Sequence, residues 1–125
     1  MTHDDVQHWL DAYIAAWASS DPDDIEALFT EDAIYSFRPW FADDVTATGR
    51  DAIVASWLED VDDPGDWEAE YQPYVVEGDK AVAVGYSRYK AKGEKPERTY
   101  HNAYLLRFAD GRCAEYREYY MLEGK

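Results

Sequence analysis

The chain has 125 residues, of which 46% are hydrophobic and 31% charged, enough for one compact domain with its own core but not for two. Its formal net charge of −15 repels phosphate backbones and anionic headgroups, which argues against nucleic-acid and membrane partners. Disorder does not explain this acidity, because 5 Trp, 11 Tyr and 4 Phe supply far more buriable area than disordered chains carry.

Residues 5–18 place Val6, Trp9, Leu10, Tyr13, Ile14 and Trp17 at three- and four-residue spacings behind Asp4 and Asp5, the pattern of an amphipathic helix with acids at its positive end. Ser20-Asp21-Pro22-Asp23-Asp24 reads as a break followed by a capped helix start. The second helix, carrying Ile25, Leu28 and Phe29, is expected to run to about Thr30. Ala33 to Phe37 reads as a short aromatic strand, and Arg38 to Asp44 as a loop with exposed aromatics. A third helix is expected from Thr48-Gly49, with Ile53, Val54, Trp57, Leu58 and Val61 at helical spacing until Asp62-Asp63-Pro64-Gly65 stops it.

The pattern then changes. Residues 67–122 read as three or four long strands, broken at Glu77-Gly78-Asp79, at Lys92 to Glu97 and at Ala109-Asp110-Gly111-Arg112, the Asp-Gly turn being the strongest hairpin signal. Three helices followed by antiparallel strands without helical crossovers predict an α+β domain spanning residues 1–125, with the helices on one face of the sheet.

Period-two alternation divides each strand into two faces. From Thr99 to Phe108 the bulkier set is Tyr100, Asn102, Tyr104, Leu106 and Phe108, which is assigned to the concave face. Between Ala81 and Tyr89 bulk selects Val82, Val84, Tyr86 and Arg88 for that face, leaving Ala81, Ala83 and Gly85 with His101, Ala103 and Leu105 outside. The last strand is open on alternation alone: Ala114, Tyr116, Glu118 and Tyr120 compete with Cys113, Glu115, Arg117, Tyr119 and Met121. A curved sheet partly covered by helices leaves a cavity, the default ligand site.

The order of weak motifs is specific where each alone is not: Asp21-x-x-x-Ile25-x-x-Leu28-Phe29-x-x-Asp32-Ala33, an aromatic strand, Gly49-Arg50-x-x-Ile53, Val76-x-Gly78-Asp79-x-x-Val82 and Asp110-Gly111-Arg112. Over nearly the whole chain this resembles the SnoaL-like branch of the nuclear transport factor 2-like superfamily, which holds ketosteroid isomerases, polyketide cyclases and limonene-epoxide hydrolases. The resemblance implies a strongly curved, mainly antiparallel sheet closed by three helices into a cone, a ligand cavity inside, and a homodimer through the outer sheet face. It also implies that Ala114, Tyr116, Glu118 and Tyr120 face the cavity. Tyr13 matches the tyrosine that donates to the oxyanion in ketosteroid isomerases. Their general-base aspartate falls at Phe37 and their second oxyanion acid at about Tyr104, so steroid enolisation lacks its base. The Asp-Arg-Asp set of the epoxide hydrolases is not identifiable, although Arg88 is a conceivable partner for Glu118.

Glu118 is the leading catalytic candidate, because a carboxylate among tyrosines in low dielectric has its pKa raised toward the range useful in proton transfer; the competing reading is a structural glutamate. Tyr13 is the second catalytic candidate. Trp17, Tyr35, Phe37, Trp40, Trp57, Tyr86, Arg88, Asn102, Tyr104, Tyr116 and Tyr120 are the expected ligand-binding residues. Neither cofactor nor metal is expected, since His3 and His8 do not share a helix face and there is no cysteine cluster, calcium-loop spacing or glycine-rich phosphate loop. Cys113 admits no intramolecular disulfide, and the opening MTHDDVQHWLD carries neither a basic nor an apolar leader segment, so a cytoplasmic location is expected. The sequence therefore points to a cone that binds a small, largely apolar molecule, with cofactor-free isomerase, cyclase, dehydratase or hydrolase chemistry. The alternative is a non-catalytic binding or interaction module whose aromatics fill the cone.

Overall fold

The computed structural model describes residues 1–36 and 47–124. Helix α1 spans His3–Ser19 and opens with a reciprocal cap: the Thr2 hydroxyl accepts from the Asp5 N–H while the Asp5 carboxylate accepts from the Thr2 N–H, satisfying two of the N–H groups a helix start leaves orphaned. It ends at Ser20, in the left-handed region at φ 53°, whose N–H reaches back to the Ala16 carbonyl. Helix α2, Pro22–Glu26, is capped by Asp21.

Strand β1 follows at Phe29–Ser36. The helical spacing of Ile25, Leu28 and Phe29 predicts helix to Thr30, but Phe29 belongs to the sheet. The Leu28 carbonyl accepts from the Cys113 N–H, Phe29 pairs with Cys113, and its ring is fully buried. Long-range pairing here overrides a local pattern that only one more helical turn would have satisfied.

A two-residue strand β2, Ala47–Thr48, leads into α3, Arg50–Glu59, which ends short of the expected stop at residue 62. Then come a single 3-10 turn at Pro64–Asp66 and four long strands: β3 Trp67–Glu77, β4 Lys80–Tyr89, β5 Arg98–Ala109 and β6 Arg112–Leu122. The strand order is β2-β1-β6-β5-β4-β3, with every pair antiparallel except β1 and β6. The expected α+β architecture of three helices on a curved, mainly antiparallel sheet is thus present. No helix among the described residues is long and apolar enough to cross a membrane.

Aromatic rings join helices to sheet. Trp9 meets Phe29 and Phe108 edge-on at centroid distances of 6.1 and 5.6 Å, and its indole N–H donates to the Leu28 carbonyl at 2.9 Å, so a buried polar atom is satisfied where α1 crosses the sheet. Trp17 stacks on Trp67 at 3.7 Å, fixing the C-terminal end of α1 over the start of β3.

Two assignments of strand faces are corrected. Pairing places Ala83 opposite Tyr104, Gly85 opposite Asn102 and Ser87 opposite Tyr100. Ala81, Ala83 and Ser87 are buried, so the small residues of β4 face inward, whereas Val82, Val84, Tyr86 and Arg88 lie on the outer face with Leu105, Ala103 and His101. Bulk misleads because at Gly85 the backbone of β3 and the Tyr71 side chain press close against the inner face of β4 and fill the space. Cys113, whose alternation puts it outside, is fully buried. Arg107 pairs with Glu115 while Phe108 pairs with Cys113, so Ala114 is the extra residue of a β-bulge that resets the parity.

Candidate functional site

Between the inner face of the sheet and the helices lies an open cavity of about 550 Å³ lined by side chains from α1, β1, α3 and β3 to β6. Of the expected site residues, Tyr13, Trp17, Tyr35, Trp57, Asn102, Tyr104, Glu118 and Tyr120 line it. Tyr116 lies directly behind them, fully buried. Phe37 and Trp40 lie outside the described residues.

Tyr86 and Arg88 are not brought to the cavity. Arg88 forms an ion pair with Glu68 on the neighbouring strand at 2.9 Å, and its guanidinium lies 5.6 Å from the Tyr86 ring centroid. The suggested pairing of Arg88 with Glu118 is therefore replaced by a pair on the opposite face of the sheet. Tyr71, Ser87, Tyr89 and Tyr100 are cavity residues that sequence reasoning left out of the site. Tyr100 shares its alternation set with Asn102 and Tyr104, the signal that finds it; Ser87 and Tyr89 were hidden by the inverted face of β4.

The polar groups form two chains. In the first, the Tyr116 hydroxyl donates to Glu118 Oε1 at 2.6 Å, and the Tyr13 hydroxyl lies 3.0 Å from the Tyr116 oxygen. A phenol has one proton. With that of Tyr116 directed at the ionised carboxylate, the Tyr13 proton points at Tyr116, and the order is Tyr13 to Tyr116 to Glu118. In that order Tyr13 supports the carboxylate through Tyr116, while its side chain also lines the cavity.

In the second chain, Asn102 Nδ2 donates to the Ser87 hydroxyl at 2.8 Å, which in turn contacts the Tyr71 hydroxyl. The Tyr71 ring stands edge-on to Tyr104 at 4.9 Å, so the two chains meet across one aromatic wall. Tyr35 stacks on Tyr116 at 4.4 Å and 11°, holding the phenol that contacts Glu118.

Burial raises the Glu118 pKa above the ordinary carboxylate range, opposed only by the hydrogen bond from Tyr116. Among the described residues no lysine or arginine forms an ion pair with it. The same burial lifts Tyr13, Tyr104 and Tyr116 well above the usual phenol range and Tyr71 to about 12, so these hydroxyls stay protonated as donors at any working pH. The Cys113 thiol, away from the cavity, is pushed up to about 12 by burial, which makes it an inert packing group. His101 is outside the cavity as expected, with its Nε2 3.1 Å from Glu123.

This arrangement carries a direct prediction. In Tyr116→Phe the carboxylate loses the hydrogen bond from Tyr116 that lowers its pKa, and the Glu118 pKa rises further. A carbon-detected NMR titration of the side-chain carboxyl should show the midpoint moving to higher pH, with a stability loss of about 1 kcal/mol for the missing bond.

Helices closing a curved sheet around a polar-floored cavity define the cone class of α+β proteins. Within it, the chain belongs to the SnoaL-like domain family, whose model matches residues 10–116. No curated protein matches the chain. Solved structures do. A nuclear transport factor 2-like protein of unknown function from Burkholderia xenovorans is similar at 17% identity over 98% of this chain and 87% of its own, with a TM-score of 0.71. A Catenulispora acidiphila protein with a ketosteroid isomerase-like fold, in complex with trimethylamine, shares 22% identity over 90% and 84%, with a TM-score of 0.68. An epoxide hydrolase from M. tuberculosis that is like the limonene-epoxide enzymes shares 14% over 95% and 84%, with a TM-score of 0.66. At these identities the likeness establishes the fold alone.

Proposed function

We propose that this protein binds a small molecule in its cavity and acts on it by cofactor-free acid–base chemistry, with Glu118 as the proton-transfer group and Asn102 and Tyr104 orienting the ligand. The observation that carries this reading is a carboxyl group facing a cavity of about 550 Å³, with no cationic side chain paired to it among the described residues and its pKa raised by burial. A structural glutamate in an ion pair is held ionised at low pH, whereas burial raises the pKa of this one above the ordinary carboxylate range, the direction that general acid–base work requires. The related folds include a protein that holds trimethylamine and an epoxide hydrolase, small-molecule roles consistent with the reading. The open cavity disfavours a cone filled by its own aromatics.

The test is a panel of small ketones, amines and epoxides incubated with the protein in deuterium oxide and followed by proton NMR. Protein-dependent deuterium incorporation or turnover in at least one compound is the expected result. A panel that shows neither, with compounds seen to bind, favours the non-catalytic binding module.

The same reading includes a homodimer through the outer sheet face. Its residues are Val82, Val84, Ala103 and Leu105 with Tyr119 and Met121, not the Ala81, Ala83 and Gly85 expected from bulk. Leu105 is 38% exposed and Met121 72%, so a broad apolar strip faces water in the single chain. Sedimentation at micromolar concentration should give twice 14.4 kDa, and Leu105→Glu should shift the population to monomer. A concentration-independent mass near 14.4 kDa overturns it.

A further inference from the structure

We propose that the ligand of this cavity is an organic cation, an alkylated amine whose charged nitrogen rests against the tyrosine and tryptophan faces with Glu118 as its counter-charge. The inference rests on the reading of the cavity as a small-molecule site and names the chemical class it takes.

The composition of the wall carries it. Nine of the seventeen described lining residues are aromatic, and all nine are tyrosine or tryptophan. Leucine, isoleucine, valine, methionine and phenylalanine are absent from the described lining, although the chain places such residues in its core at Val6, Leu10, Phe29, Ile53 and Leu106. A pocket for a neutral hydrocarbon is served by aliphatic walls, which match its surface by burial alone. Electron-rich ring faces add an attraction that only a cation uses.

Ring orientation matches that use. Tyr13 and Trp57 meet at 84° with centroids 5.2 Å apart, and Tyr35 and Trp57 at 61° and 6.5 Å. The walls therefore stand at steep angles to one another around one void. One cavity ring already carries a cation: the Arg98 guanidinium sits 4.6 Å from the Tyr89 centroid.

The charges are arranged in the same sense. Asp60, Asp62 and Glu118 line the cavity, and its bases are Lys95 and Arg98. Arg98 begins β5, six residues from Tyr104, the strand partner of Glu118, which is about 20 Å of strand at 3.3 Å per residue. Among the described residues, the carboxyl end of the cavity thus has no cation of its own. The chain's net charge of −15 draws cations toward the protein and repels anions.

The experiment compares two probes of nearly equal shape, choline and its neutral carbon analogue 3,3-dimethyl-1-butanol, by titration calorimetry with tryptophan fluorescence as a second readout. Choline should bind at least tenfold more tightly. Glu118→Gln should weaken choline about tenfold and leave the alcohol unchanged, and Tyr35→Leu should weaken choline more than the alcohol. Equal or tighter binding of the alcohol, or indifference of choline to Glu118→Gln, overturns the cation assignment while leaving the cavity as a small-molecule site. Binding of neither probe at millimolar concentration overturns the cation assignment too; if the NMR panel also shows no bound compound, the small-molecule reading falls with it.

Discussion

Glu118→Gln should abolish proton transfer while making the protein more stable at neutral pH. Glutamine keeps the volume and still accepts from the Tyr116 hydroxyl, so the 2.6 Å contact has a successor, but it has no proton to exchange. Loss of a general acid or base lowers the rate by ~10²- to 10⁴-fold. The stability effect follows from linkage. The Glu118 pKa is raised in the folded state by burial, so stability is fully present below the unfolded carboxylate value and falls as pH rises through the raised folded value. Glutamine removes that loss. Thermal melts should show the variant above the wild type by about 1 kcal/mol at pH 8, a size common for substitutions that relieve a functional site, and level with it at pH 4. A variant that keeps full turnover on a substrate found by deuterium exchange defeats the assignment of Glu118 as the reacting group. A variant less stable than wild type at pH 8 instead makes the glutamate a structural member of the tyrosine chain.

The sequence makes some of this site plain and hides the rest for identifiable reasons. Tyr100, Asn102 and Tyr104 alternate cleanly because β5 is central in the sheet and pairs without irregularity along that stretch. Glu118 needed more, since both faces of β6 carry tyrosines and a glutamate, and only the order of motifs along the chain selected the right one. The structure supports that choice, with Glu118 opposite Tyr104 and Tyr120 opposite Asn102.

Three positions depart from the sequence expectation, each for a different local reason. At Cys113 a single bulge residue reverses the parity that alternation assumes. At β4 the parity was right but its sign was wrong. Bulk is a proxy for burial only when the opposing layer leaves room for it, and on β4 that room is taken by Tyr71. Phe29 failed differently, because a residue at the seam of α2 and β1 fits both periods and is claimed by its partner on β6.

The largest expected effect on stability comes from that inverted strand. Gly85 pairs with Tyr71 on one side and Asn102 on the other. A Cβ built on it falls 1.9 Å from the Glu70 carbonyl oxygen, 2.6 Å from the Tyr71 ring and 2.8 Å from the Tyr71 Cα. Two of those three neighbours are backbone of the adjacent strand, so the clash is not relieved by turning a side chain. The absence of a side chain at 85 lets β3 lie close against β4 and lets Tyr71, itself buried, enter the core with its hydroxyl on Ser87. Gly85→Ala should therefore cost about 3 kcal/mol, the upper part of the range for inserting a single group into a packed interior. Because the strand must open to admit the methyl group, Tyr71 should leave its place beside Tyr104, with the Tyr71–Ser87–Asn102 chain broken and ligand affinity lost along with stability. Chemical denaturation with choline binding measured on the folded fraction checks both. Gly65 is the control, with nothing within 4 Å of its Cβ position, and Gly65→Ala should leave stability within about 0.5 kcal/mol of wild type. A Gly85→Ala protein of wild-type stability would mean that β3 and β4 are not pressed together at this point, and with that the inward placement of Ser87 and Tyr89 would lose its structural cause.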